Sequence, residues 1–265
     1  MMIRILFLGD IVGEPGRKAV IRRVPVFLKE RGIDFVIVNG ENSAAGRGIT
    51  AKIAIDLLRC GVAVITTGDH VWDQRETASY IETEPRLLRP VNYPDGAPGN
   101  GSIILDTAKG KIGVLNVQGR TFMQPILDNP FTAASIEVNR MRVETPVIIV
   151  DMHSETTSEK IAMARFLDGR VSAVFGTHTH VQTADEKILP NGTGFLCDAG
   201  MCGPEHSCLG REPEPIIKRF IDNLPGMFPV AKWPVRLCGV VVEVDPHTGR
   251  ALGIERVSEM VEEVG

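Results

Sequence analysis

No apolar run in this 265-residue chain approaches the ~18 residues needed to cross a membrane as a helix, so no membrane partner is expected. The opening stretch, MMIRILFLGD, is too short in its apolar part for a signal peptide and shows no small-residue cleavage site. Cysteine occurs five times, at Cys60, Cys197, Cys202, Cys208 and Cys238, without framework spacing or a Cys-x-x-Cys pair. That argues against a disulfide scaffold and for reduced thiols in the cytoplasm. Basic excess is missing as well: the formal net charge is −4, and no basic stripe is available to hold a nucleic-acid duplex. Repeats, low-complexity tracts and dividing linkers are absent, the best loop candidate being the short PDGAPGNG at 94–101. A single domain over residues 1–265 is the expectation.

What is present is an ordinary globular mix, with 43% hydrophobic and 23% charged residues, enough for a full core. Apolar, β-branched runs at 3–9, 34–39, 62–67, 146–151 and 171–176 alternate with stretches of helical period near 15–31, 50–60, 73–82, 132–142 and 157–168. Continuous apolar strands joined by helices predict a layered α/β fold with covered sheet faces. Thr50 and Asp73 stand where helix caps belong, and Pro25 should kink or split the first helix. Three hairpins are expected too, turning at 109–110, at 191–192 and through 245–249. Their addition to strand–helix units predicts mixed rather than purely parallel sheets.

Each of the five strand candidates ends in residues that chemistry uses. In order these are Gly9 and Asp10; NGEN with Glu41 and Asn42; TGDH with Asp69 and His70; VDMH with Asp151 and His153; and GTHTH with His178 and His180. The carboxyl ends of strands line the ligand crevice of layered α/β folds, so these ends converge. A lone aspartate at a strand end more often caps a helix or turn, and a lone histidine more often sits satisfied in a core. Three carboxylates (Asp10, Glu41, Asp69) and three imidazoles in one crevice are another matter, since stability disfavours them without cations to hold them. In GTHTH, residues i and i+2 of an extended chain share a face roughly 6.5–7 Å apart, which suits one imidazole on each of two neighbouring ions. Oxygen and imidazole ligands without thiolate suit zinc, manganese or iron. Their number exceeds one tetrahedral zinc and matches two ions about 3.5–4 Å apart, as used for phosphoryl transfer. The metal-ligand candidates are therefore Asp10, Glu41, Asn42, Asp69, His153, His178 and His180. His70, beside Asp69, should face the substrate as a general acid.

These motifs resemble the calcineurin-like metallophosphoesterases, and within them the bacterial branch of YmdB-like proteins. The superfamily pattern D-x-H, G-D-x-x-D, G-N-H, a lone His and G-H-x-H is answered in order by GDIVG, NGEN, GDH, DMHSE and GTHTH, the first two in the branch's own form. Flanking stretches agree, among them ILFLGDIVGEPGR, VNGENSAAGRG, RPVNYP, NVQGRTF, SEK and IIKRF, over residues 3 to about 257. The resemblance implies a four-layer α/β/β/α sandwich with a dinuclear centre that hydrolyses phosphodiesters. It also implies 2′,3′-cyclic nucleotides as substrates, opened at the 2′ ester to leave a 3′-phosphate, with small phosphate esters as slower ones. Carried over by motif, Asp10 and His180 would bind the first metal, Glu41 would bridge, and position 69, His153 and His178 would hold the second. Asn42 would sit on or beside the metals, and His70 would be the acid. A metal-bridging hydroxide would be the nucleophile, and iron or manganese the pair in preference to zinc or magnesium. A homo-oligomer and a partner in RNA metabolism are further implications.

One position departs from that pattern, with Asp69 where GNH has an amide. Two divalent ions with Asp10, Glu41, Asp69 and one hydroxide sum to about zero charge, against about +1 with the amide. Metal affinity at the second site should rise, and the pull on a substrate phosphate should weaken.

Weaker signals surround this set. GDIVGEPG fits neither a dinucleotide nor a P-loop pattern, so Gly13 and Gly16 read as loop geometry around Asp10. CDAGMCGPEHSC, with His206, matches no common zinc spacing and reads as a mobile loop near the crevice. Asp151 and Glu155 flank His153, and either can orient it, while Arg47 and Arg120 are surface arginines within reach of a phosphate. A metal-dependent amidohydrolase barrel is the enzyme alternative, though its eight units conflict with the hairpins. A metal-dependent nucleotide-binding regulatory protein with weak turnover is the other, which retention of His70 argues against.

Overall fold

Strand β1 (Ile3–Leu8) shows how the layers arise. Ile3, Ile5 and Phe7 enter one core while Leu6 and Leu8 enter another, because successive side chains of a strand point to opposite faces. The computed structural model describes residues 2–263; of the expected 1–265 span, residues 1, 264 and 265 lie outside the described residues. In the first sheet β1 is joined by β2 (Asp10–Ile11), β3 (Phe35–Asn39), β4 (Val64–Thr66), β11 (Met201–Pro204), β12 (Val235–Val244) and β13 (Ala251–Val261). The order is β2–β11–β12–β1–β3–β4 with β13 on β12; β1, β3 and β4 run parallel, and β12 is antiparallel to β1, β11 and β13. The second sheet holds β5 (Ser102–Thr107), β6 (Gly110–Gln118), β7 (Ile148–His153), β8 (Ala173–Thr177), β9 (Lys187–Ile188) and β10 (Gly194–Leu196), in the order β5–β6–β7–β8–β10–β9. It is parallel from β6 through β7 and β8 to β10 and antiparallel at both edges.

Helices cover the outer faces. Val20, Val24 and Phe27 of α1 (Gly13–Glu30) and Ile53 and Leu57 of α2 (Ala51–Arg59) share a core with Leu6 and Leu8. Val138 and Met141 of α4 (Pro130–Met141) and Met163 of α5 (Thr157–Phe166) pack against Leu115, Val117 and Val150 of the second sheet. Between the sheets lies a third core containing Ile5, Phe7 and Ile37 from one side and Val114, Ile149 and Phe175 from the other. Phe7 and Phe175 are fully buried with ring centroids 5.4 Å apart, and each burial contributes about 2–3 kcal/mol. The result is the four-layer α/β/β/α sandwich with two mixed sheets. Two open sheets also exclude the amidohydrolase barrel.

The three hairpins form as expected, and Thr50 caps α2 by accepting from Ile53 N at 3.3 Å. Other expectations need correction. α1 runs unsplit through Pro25, whose ring lies on the exposed side while Val24 and Phe27 anchor the opposite one. The helix expected at 73–82 shrinks to α3 (Thr77–Tyr80), with Glu76 at its cap, because the Asp73 carboxylate is engaged by Arg47 and His70 instead. Gly13 and Gly16 lie in the first turns of α1 and not in a loop, and Gly13 N donates to Asn42 O. The stretch read as a mobile loop contains β11 with Cys202 buried, and α6 (Pro213–Asp222) was not expected at all. Strand β7 ends two residues later than expected, which puts His153 on the ladder. All five cysteines are free. Among the described residues no helix is long and apolar enough to cross a membrane.

Candidate metal centre

The two sheets meet the site with different chemistry. Asp10 opens β2, Glu41 and Asn42 follow β3, and Asp69 follows β4, so every oxygen candidate stands on the first sheet. His153 ends β7, and His178 and His180 follow β8, so every imidazole among the ligand candidates stands on the second. Asp10, Glu41, Asn42 and His153 are buried, and Asp69, His178 and His180 are half-buried at the mouth.

Glu41, Asp69, His153 and His178 each bring one ligand atom within 4.8 Å of the others. His153 Nε2 lies 3.2 Å from Glu41 Oε2, 3.0 Å from Asp69 Oδ1 and 3.1 Å from His178 Nδ1. The remaining candidates adjoin this cluster rather than entering it. Asp10 Oδ2 accepts from the His178 backbone N–H at 3.1 Å, while its Oδ1 is buried with no hydrogen-bond partner. His180 Nε2 stands 3.1 Å from Asn42 Oδ1.

Proton bookkeeping shows what fits here. The Thr177 hydroxyl donates to Asp151 Oδ1 at 2.6 Å, so it can only accept from His153 Nδ1 at 2.8 Å. The second nitrogen of His153 therefore turns a lone pair toward two carboxylates. His180 Nδ1 faces the Leu209 carbonyl at 3.2 Å, an acceptor only, which likewise frees Nε2 toward Asn42. Lone pairs aimed at one another across buried space suit a cation, as does the orphaned Asp10 oxygen. The electrostatics agree. Burial opposes a charge on His153, yet Glu41 and Asp69 outweigh it and hold its pKa well above normal. Burial likewise opposes charge on Asp69, but hydrogen bonds to His153 and His178 keep it below the usual carboxylate range. Both shifts show that this point favours positive charge.

Around the cluster, His70 is not among the converging ligand atoms. Its Nδ1 contacts Asp73 Oδ2 at 3.0 Å, its Nε2 is 3.7 Å from Asp69 Oδ2, and its side chain is 26% exposed, so it is reachable from solvent. The same Asp73 oxygen accepts from Arg47 Nε at 2.8 Å. Of the two acids flanking His153, Asp151 supports it through Thr177, whereas Glu155 pairs with His178 Nε2 at 3.2 Å. Burial pushes Asp151 up to about 6, with the charge of His153 and donors Thr177, Thr66 and Asn39 restraining the rise. Arg120 meets Glu159 through its backbone N–H. Sequence reasoning missed Thr177 and Asp73 as supports, although Thr177 lies inside GTHTH and Asp73 three residues after TGDH. The Leu209 carbonyl carried no signal.

Residues 6–257 match the family described as YmdB-like protein. The chain is 47% identical over 255 residues to a Bacillus subtilis protein named 2′,3′-cyclic-nucleotide 2′-phosphodiesterase, covering 96% of each. Among solved structures, a protein described as a novel phosphatase from Mycoplasma pneumoniae superposes with a TM-score of 0.92 at 34% identity, covering 99% of this chain and 95% of that one. A Thermus thermophilus protein described as hypothetical gives 0.91 at 38% identity, covering 98% and 100%. On an end-to-end match of sequence and fold, this chain belongs to the YmdB-like protein family.

Proposed function

We propose that this chain hydrolyses 2′,3′-cyclic nucleotides at the 2′ ester, leaving a 3′-phosphate, at a centre of two transition-metal ions, iron or manganese. The observation that carries the reading is the convergence of Glu41, Asp69 and His178 on His153 Nε2 at 3.0–3.2 Å, acceptors around one buried point. Its similarity to the Bacillus subtilis phosphodiesterase supports the choice of substrate. Glu41, Asp69, His153 and His178 would hold one ion, and Asp10, Asn42 and His180, with Glu41 between, would hold the other. Ions bound there supply Lewis acidity toward phosphoryl oxygens and lower the pKa of bound water.

The remaining work falls to the chain. Asp73 accepts from His70 Nδ1–H and fixes the ring, leaving Nε2 to carry the proton delivered to the departing 2′ oxygen. Buried Asp10, Glu41 and His153 keep the floor dry, which strengthens electrostatic contacts made above it. Five free cysteines support a reducing, cytoplasmic setting. The exposed Phe220 and Ile221 of α6 support a homo-oligomer.

A second reading, a nucleotide-binding regulatory protein with weak turnover, is favoured by Asp69, whose added charge weakens the attraction for phosphate. Elemental mass spectrometry on purified protein, paired with turnover of bis(p-nitrophenyl) phosphate and 2′,3′-cAMP, separates them. About two metals per chain with diesterase activity, lost in His70→Ala with the metals retained, is the expected result. Metals without turnover in the parent would favour the regulatory reading, and faster turnover in Asp69→Asn would identify the cause.

A further inference from the structure

Between β10 and β11 the chain passes hard against the two strand ends that deliver metal-ligand candidates. A Cβ at Gly176 would lie 1.8 Å from Cys197 O, and one at Gly9 would lie 1.8 Å from Gly200 O, so only glycine admits this segment at either place. Asp10 N donates to Gly200 O at 3.1 Å, and Ala199 N donates to Gly176 O at 2.8 Å. The segment is therefore stitched to the Asp10 end of the first sheet and to the His178 end of the second.

At its centre stands Asp198, 1% exposed. Its Oδ1 accepts from Gly200 N at 2.8 Å; its Oδ2 accepts from Thr179 N at 3.2 Å, Thr179 Oγ1 at 2.7 Å and Lys160 Nζ at 2.7 Å. Lys160 is wholly buried, and among the described residues no other lysine– or arginine–carboxylate pair is buried on both sides. An ion pair buried on both sides is weak evidence of stabilisation by itself, because desolvation offsets the attraction. What Asp198 grips is the explanation. Thr179 separates His178, at φ 98°, from His180, at φ 64°. Left-handed backbone at two non-glycine residues persists only where the surroundings over-determine it.

We infer that Lys160 and Asp198 form a positioning pair. Asp198 clamps Thr179 by both its N–H and its hydroxyl, which holds His178 and His180 turned toward the metal centre. Lys160 supplies the countercharge that lets a carboxylate sit in the core. This rests on the reading of His178 and His180 as metal ligands. The pair acts through Thr179 and touches neither metal nor substrate.

The test uses the full chain, stripped of metal and titrated with cobalt(II), whose visible d–d bands report ligand geometry. Lys160→Met/Asp198→Leu removes the ion pair and also the acceptor of Gly200 N, Thr179 N and Thr179 Oγ1, so its melting temperature should fall by several degrees with the fold retained. Its cobalt affinity should fall roughly 10- to 100-fold, with altered bands. Thr179→Val, which keeps the ion pair and removes only the hydroxyl donor, should weaken cobalt binding several-fold, and Thr179→Ser should restore it; these two decide the matter if the double variant fails to fold. Parent-like affinity and bands in both the double variant and Thr179→Val would overturn the inference and leave the metal-centre reading intact. A parent chain that takes up no cobalt would overturn both.

Discussion

His153 and the His178–His180 pair reach the same site by opposite means. His153 is the last residue of a central strand, wholly buried, paired in register with Gln118 and Thr177, and backed by Thr177 and Asp151. His178 and His180 lie beyond a strand on a turn of left-handed backbone, partly exposed, and steadied from outside by Glu155, Asp198 through Thr179, and the Leu209 carbonyl. A strand supplies precision through its ladder, and a turn must borrow it from distant side chains. The extended i, i+2 pair expected from GTHTH is not formed: β8 ends at Thr177, and left-handed backbone at His178 and His180 brings the two imidazoles to neighbouring points instead of strand alternation.

The contrast can be broken or sharpened in graded steps. His153→Ala should have the largest effect, dropping metal content by about half and turnover by about 10³-fold, read by elemental mass spectrometry and 2′,3′-cAMP hydrolysis. Thr177→Val keeps the strand and removes the hydroxyl between His153 and Asp151, so metal affinity should weaken roughly 10- to 100-fold in a chelator competition. Parent-like affinity there would show that the ladder alone orients His153.

Asp151 predicts a pH effect in the metal-free protein. Its folded pKa of about 6 lies above the unfolded 3.8, so its stabilising effect is complete below pH ~4 and is lost as pH rises through ~6. The loss amounts to about 3 kcal/mol, and Asp151→Asn should flatten that part of the pH dependence in urea melts. A slope unchanged in the variant would assign the effect to other groups. The smallest change is expected from Glu155→Gln, because the Glu155 side chain is 48% exposed and its pair with His178 is screened by water. Metal affinity should shift by no more than about threefold, and a larger loss would mean that the turn leans on this acid more than its exposure allows.

Much of this was legible in the sequence because the polar residues follow apolar runs directly. Asp10, Glu41, Asp69, His153 and His178 each lie within three residues of a strand end, so finding the strands finds the ligand candidates. The supports were harder to see, because tertiary register creates them. Thr177 meets His153 only where β8 lies beside β7, and Lys160 meets Asp198 across a separation of 38 residues. Asp73 looked like a helix cap from its neighbours, yet Arg47 and His70 claim its carboxylate. Helix α6 escaped notice although Ile217, Phe220 and Ile221 recur at helical spacing; that apolar face is exposed and packs against none of the three cores.

The division of ligands between the sheets has a consequence for the life of the molecule. Ions held as proposed, by oxygens from one sheet and imidazoles from the other, would act as rivets across the seam. At a thousandfold excess over Kd, binding adds about 4 kcal/mol to the folded state. A copy left empty lacks that margin and meets proteases more often in its open form. On the proposed reading, metal supply would set the abundance of this protein as well as its rate.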